Sequence, residues 1–109
     1  MTRVLALLAL LGAGPALGAA TNGDICAQAG KEARLGDMTP AQCTCVLAQG
    51  DRRMDSRLAR LWKEALLTGQ SRIEEVRALN IPERRMERQM RRTLADARKN
   101  CGVQNPFGM

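Results

Sequence analysis

Between Thr21 and Cys101 the apolar positions recur every three or four residues, the period of an α-helix, and alternating strand-like runs are nearly absent. Asp24 to about Leu35 forms a first predicted helix, with Cys26, Ala29, Gly30 and Ala33 on one face and Gly36 as the stop. In "TPAQ", Thr39 caps a second helix, Pro40 takes the first helical position, where its missing N–H costs nothing, and Gln42 completes a capping box. That helix is expected to reach about Gln49, with Gly50 ending or bending it and Cys43, Val46 and Leu47 on its apolar side. A third runs from Asp55 or Ser56 to Thr68-Gly69, and Leu58, Leu61, Trp62, Ala65 and Leu66 hold its apolar stripe without a break.

"SRIE" opens a shorter helix, Ser71 capping and Glu74 reaching back, so that Ile73, Val76 and Leu79 face inward. Pro82 disfavours helix at Ile81 and suits a new first turn. The last helix therefore spans about Pro82 to Asn100, with Gly102 as its C-terminal signal and Met86, Met90, Leu94 (or Thr93), Ala97 and Cys101 on one stripe. "VQNPFGM", residues 103–109, reads as a loose tail. With one Trp, one Phe and no Tyr, and with good helix formers dominant, composition agrees with periodicity. The predicted fold class is all-α: a small disulfide-stapled helical bundle of four to five short helices, one domain over residues 21–102.

Residues 1–20 have a different character. Arg3 is a cationic start, Val4 to Leu11 an apolar run, and small residues follow, the layout of a signal peptide cleaved after Gly18 or Ala20. The run is too short to cross a bilayer, which takes about 20 apolar residues, and no transmembrane segment is expected after processing. Removing residues 1–20 takes away Arg3 alone, lowers the formal charge from +6 to +5 and leaves 89 residues. A periplasmic or secreted location follows, and with it an oxidising compartment.

All four cysteines, Cys26, Cys43, Cys45 and Cys101, lie in the mature part. An even count in a short exported chain marks a disulfide framework. Residues two apart on a helix point roughly 200° apart, so Cys43 and Cys45 address different neighbours. A bridge between those two would distort the helix. Two pairings remain: Cys26–Cys45 with Cys43–Cys101, or Cys26–Cys43 with Cys45–Cys101. The first is preferred, because in a hairpin of the first two helices Cys45 lies nearer the level of Cys26, and Cys43 shares an apolar face as Cys101 does. The rival chemistry is Cu(I) or another soft metal held by Cys43-Thr44-Cys45 with thioethers from Met38, Met54, Met86 and Met90. An oxidising compartment disfavours free thiols and the chain has no histidine, so no resident metal and no cofactor is expected.

The last helix carries seven basic residues, Arg84, Arg85, Arg88, Arg91, Arg92, Arg98 and Lys99. Arg84, Arg88, Arg91 and Arg92 gather away from the methionine stripe and form a candidate face for an anionic envelope component or an acidic protein. The plainer expectation is a solvated face partly offset by Glu83, Glu87 and Asp96. "SRIEEVRALNIPERRMERQMRRTL" also resembles a sigma-factor type of helix-turn-helix. Val76 stands three rather than four residues before Leu79, and Asn80 takes the place of the turn glycine. With an export signal and disulfides in the same chain, the resemblance implies shared helical-hairpin geometry and no nucleic-acid partner.

No catalytic residues stand out. There is no histidine for acid–base work, no serine in a nucleophile motif and no Gly-rich phosphate loop, while the adjacent Glu74 and Glu75 read as cap and surface. The order of leader, Cys26, "CTC", a Trp-bearing helix, "SRIEEVRALNIP" and a late Cys101 resembles small exported four-cysteine helical proteins of proteobacteria, which implies a periplasmic location and no particular chemistry. The expectation is a non-enzymatic periplasmic protein, envelope-associated or partner-binding, acting through the Trp62 groove or the basic last helix.

Overall fold

A computed structural model of the chain describes residues 20–108, so the expected leader lies outside the described residues save for Ala20. Five helices follow one another, α1 (Asn22–Lys31), α2 (Pro40–Arg53), α3 (Ser56–Thr68), α4 (Ile73–Ala78) and α5 (Glu83–Cys101), with a 3₁₀ turn at Pro106–Gly108. There is no strand among the described residues. The all-α, disulfide-stapled architecture read from the periodicity is the one observed.

Local chemistry explains the helix ends. At α1 the hydroxyl of Thr21 accepts from the Asp24 backbone N–H at 3.1 Å, while the Asp24 carboxylate accepts from the Thr21 N–H at 3.2 Å. This capping box starts α1 two residues before the expected Asp24. Its far end also moves, from Leu35 back to Lys31, because Ala33 takes a left-handed conformation (φ 56°) and the Arg34 N–H closes on the Ala29 carbonyl at 2.9 Å. The turn so formed points Leu35 and Met38 into the core. Thr39 and Gln42 make the reciprocal cap of α2 at 3.1 and 2.9 Å. Asp55 caps α3 through the Arg57 N–H, and Gly69 ends it in the left-handed region (φ 74°).

The expected stop at Gly50 is not one: α2 continues to Arg53. The glycine serves packing instead, since the Trp62 ring fills the space where a side chain would stand. The expected cap of α4 does not form either. Arg72, not Ser71, holds the cap position without a side-chain bond, and the Ser71 hydroxyl reaches only the Ile73 N–H at 3.4 Å.

α2 is the central element, with α5 and α1 packed along it; α3 closes over α1 and α2, and α4 rests on α3. One core cluster surrounds Cys26, Cys43, Val46, Leu47 and Ala97, and a second comprises Met54, Leu58, Ala59 and Ile81. Trp62 packs against both. Of the expected core residues, Val46, Leu47, Leu58 and Leu61 are buried. Trp62, Leu66, Val76, Leu79, Met86, Met90 and Leu94 are half-buried. Ile73 is a correction: it is 51% exposed, because α4 is a short helix and its N-terminal turn has no element above it. On α5 the buried place falls to Thr93, which hides its hydroxyl by donating to the Gln89 carbonyl at 2.9 Å, and Leu94 lies at the rim.

The tail is a second correction. Gly102 (φ 65°) turns the chain back, Arg98 Nε donates to the Gln104 carbonyl at 2.9 Å, and Val103 and Pro106 are buried. Phe107 then meets Trp62 edge-to-face, with ring centroids 5.6 Å apart. Residues 103–107 are part of the domain.

Candidate functional site

Both cysteines of Cys43-Thr44-Cys45 sit in the first turns of α2, where the Thr39 cap fixes their phase. Their sulfurs diverge, as the helical geometry predicts, and each meets a different helix: Cys26–Cys43 ties α2 to α1, and Cys45–Cys101 ties α2 to the end of α5. The preferred pairing, Cys26–Cys45 with Cys43–Cys101, is therefore wrong and its alternative holds. Direction decides over level here. Stepping from Cys43 to Cys45 changes height along α2 by only about 3 Å but rotates the side chain by roughly 200°. Cβ atoms must come within about 4 Å for a bridge to close. The fully buried Cys26 and Cys43 face each other between α1 and α2, while the half-buried Cys45 and Cys101 meet at the edge. By loop-closure entropy, sequence separations of 17 and 56 correspond to about 3 and about 4 kcal/mol.

Polar side chains surround the outer bridge. Buried Gln49 donates to the Cys45 carbonyl at 3.1 Å and accepts from Asn100 Nδ2 at 3.1 Å and from Arg52. Arg53 Nε donates to Asp96 Oδ2 at 2.6 Å, tying α2 to α5 again. That bond holds the Asp96 carboxyl below the usual carboxylate range. Asp55 is likewise lowered, by the hydrogen bond from the Arg57 guanidinium.

The soft-metal arrangement does not assemble around these sulfurs. No cysteine is free among the described residues. Met38 belongs to one core cluster, Met54 to the other, and Met86 and Met90 line the second from α5. Thiolate ligation at Cys43-Thr44-Cys45 would first require both bridges to be reduced.

The basic residues of α5 present a different picture. From 3.6 residues per turn, Arg84, Arg85, Arg88, Arg91, Arg92, Arg98 and Lys99 fall within an arc of about 140° along about 23 Å of helix. All seven are exposed. The carboxylates expected to offset them do not. Asp96 is engaged by Arg53, and among the described residues no ion pair joins Glu83 or Glu87 to any of the seven. Arg84, Arg88, Arg91 and Arg92 lie exposed along one side of α5, and none of them makes an ion pair among the described residues.

On the far side of α5 from the arginines, α3, α4 and Met90 of α5 line an open groove of about 300 Å³, with Leu58, Leu61, Trp62, Ala65 and Val76 in its wall. Arg72 stands in its wall, its Nη1 ion-paired with Glu75 at 3.6 Å and its buried Nε without a hydrogen-bond partner among the described residues. Periodicity identifies the groove's apolar residues, but nothing in the local pattern singles out Arg72. Arg34 was equally hidden: its Nη1 donates to the Leu66 and Leu67 carbonyls, both at 2.9 Å, and caps the end of α3 from more than thirty residues away.

No helix among the described residues is long and apolar enough to cross a membrane. Comparison of the chain with protein-family models, with curated protein sequences and with solved structures finds no match.

Proposed function

We propose that this is an exported, non-enzymatic protein of the bacterial envelope that binds an anionic surface, lipid phosphate in particular, through the arginine face of α5. The observation that carries the reading is that Arg84, Arg88, Arg91 and Arg92 are all exposed and make no ion pair among the described residues. Charges that a fold leaves unneutralised along one straight helix favour an extended anionic partner over a single ion. The arc contains no large apolar side chain, only Ala95 among the basic residues, which suits peripheral attachment rather than insertion. The N-terminal leader and the two disulfides support export. Each basic side chain near an anionic membrane contributes about 1 kcal/mol, screened over a Debye length of about 8 Å at physiological salt.

The test is co-sedimentation of the disulfide-intact mature protein with phosphatidylglycerol vesicles, and with phosphatidylcholine vesicles as control, across a salt series. Binding to the first alone, falling as salt rises, is expected. Equal binding to both, or binding indifferent to salt, would refute the reading.

A further inference from the structure

We infer that the Cys45–Cys101 bridge is a redox-active disulfide that exchanges with an external thiol, the thiol adding to Cys101 while Cys45 departs as the thiolate. The two bridges of the fold stand in different surroundings. Cys26 and Cys43 are fully buried between α1 and α2, whereas Cys45 and Cys101 are half-buried at the edge where α2 meets the end of α5. A disulfide exchanges only with a thiolate that can reach one of its sulfurs, so the outer bridge is the one open to attack.

The polar groups around that bridge distinguish its two sulfurs. Cys45 Sγ has Gln49 Nε2 at 3.7 Å and the Asn100 carbonyl at 3.8 Å, while no hydrogen bond reaches Cys101 Sγ among the described residues. Gln49 is buried and held in place. Its Oε1 accepts from Asn100 Nδ2 at 3.1 Å and from the Arg52 guanidinium, and its Nε2 is thereby turned toward Cys45. An N–H aimed at the sulfur and a guanidinium behind it favour a thiolate at Cys45; the Asn100 carbonyl can accept the S–H once that sulfur is protonated. Exchange is faster the better the departing thiolate is stabilised, which makes Cys45 the leaving group.

The incoming thiolate therefore attacks Cys101 Sγ and forms a mixed disulfide, as the Cys45–Cys101 bond breaks with its electron pair on Cys45. A second external thiolate then attacks the incoming sulfur and releases Cys101 as a thiolate. The external pair is oxidised by two electrons and the bridge is reduced by two. Opening the bridge leaves its sulfurs side by side. The Arg53–Asp96 pair at 2.6 Å, the Asn100–Gln49 bond and buried Ala97 still join α5 to α2, and Phe107 on Trp62 anchors the chain beyond Cys101. Oxidised and reduced states thus share one fold, which lets the bridge re-form. None of the arginines assigned to the anionic surface takes part, so this inference and that reading fail separately.

The disulfide-intact protein is mixed with millimolar reduced glutathione, quenched at intervals with excess N-ethylmaleimide and mapped by peptide mass. Glutathione is expected on Cys101 and maleimide on Cys45, with labelling of Cys26 and Cys43 roughly tenfold slower or more. Reduced thioredoxin in a parallel arm distinguishes the source of the thiol. Reaction with glutathione alone assigns the exchange to small thiols, reaction with thioredoxin alone assigns it to protein dithiols, and either sustains the inference. Far-UV circular dichroism should be unchanged with the outer bridge open, and oxidised glutathione should close it again. Gln49→Met should slow opening roughly tenfold; should that variant fail to fold, the mapping of the wild type decides. Glutathione found on Cys45, equal rates at the two bridges, loss of helix on opening, an unaltered rate in folded Gln49→Met, or no reaction with either thiol would overturn the inference.

Discussion

A Cβ placed on Gly50 would lie 2.5 Å from Cζ3 of Trp62, so the indole of α3 rests directly on the bare backbone of α2. Phe107 meets the same ring from the tail. One glycine, one tryptophan and one phenylalanine thereby link the last turn of α2, the middle of α3 and the C-terminal segment at the boundary of the two core clusters.

Gly50→Ala separates helix propensity from packing. Alanine favours an interior helical position over glycine by about 1 kcal/mol. Overpacking against a held ring costs about 1–3 kcal/mol. We expect a net loss of about 1 kcal/mol in urea unfolding, together with an altered Trp62 emission. A gain in stability with unchanged emission would show that the indole does not need the space.

The two bridges should differ in reactivity. Cys26 and Cys43 are fully buried, whereas Cys45 and Cys101 are half-buried at the end of α5. Mild reductant followed by alkylation should label Cys45 and Cys101 first, and a second label after full reduction should appear on Cys26 and Cys43. The disulfide-intact protein should have an intact mass four protons below its reduced form, and the proposed export predicts a chain that begins at Ala19 or Thr21. Four thiols alkylated without reductant, or a first label shared between Cys43 and Cys101, would contradict the assigned pairs.

Asp96 carries a pH signature. Its folded-state pKa is depressed by the hydrogen bond from Arg53, so its contribution to stability is present above the ordinary carboxylate value of about 3.9. That contribution is lost as pH falls from there through the lower folded value. In low salt the wild type should melt above Asp96→Asn at neutral pH, and the difference should shrink as the solution is acidified below the ordinary carboxylate value. A gap that persists undiminished into acid would mean that the ion pair is not its source.

Much of this architecture was legible because it is local. Thr39, Pro40 and Gln42 announce the start of α2, Asp55 and Gly69 bound α3, and the arginine face of α5 follows from helical period alone. The features that escaped depend on neighbours distant in sequence. Arg34 caps a helix 32 residues further on, and Phe107 makes the tail part of the domain by reaching Trp62. Ile73 fits an inward pattern, yet a pattern cannot say whether an element exists to cover it. The disulfide pairing turns on side-chain direction, which is readable from helical phase, and not on height along the helix.

The functional account rests on Arg84, Arg88, Arg91 and Arg92 acting as one face, and the most direct test is the partition of the mature protein onto phosphatidylglycerol vesicles with all four changed to Gln. Far-UV circular dichroism and the melting temperature should be nearly unchanged, since all four side chains are exposed. At about 1 kcal/mol per arginine, partitioning at low salt should fall by roughly two to three orders of magnitude. A folded variant that binds the vesicles as tightly as the wild type would contradict the account.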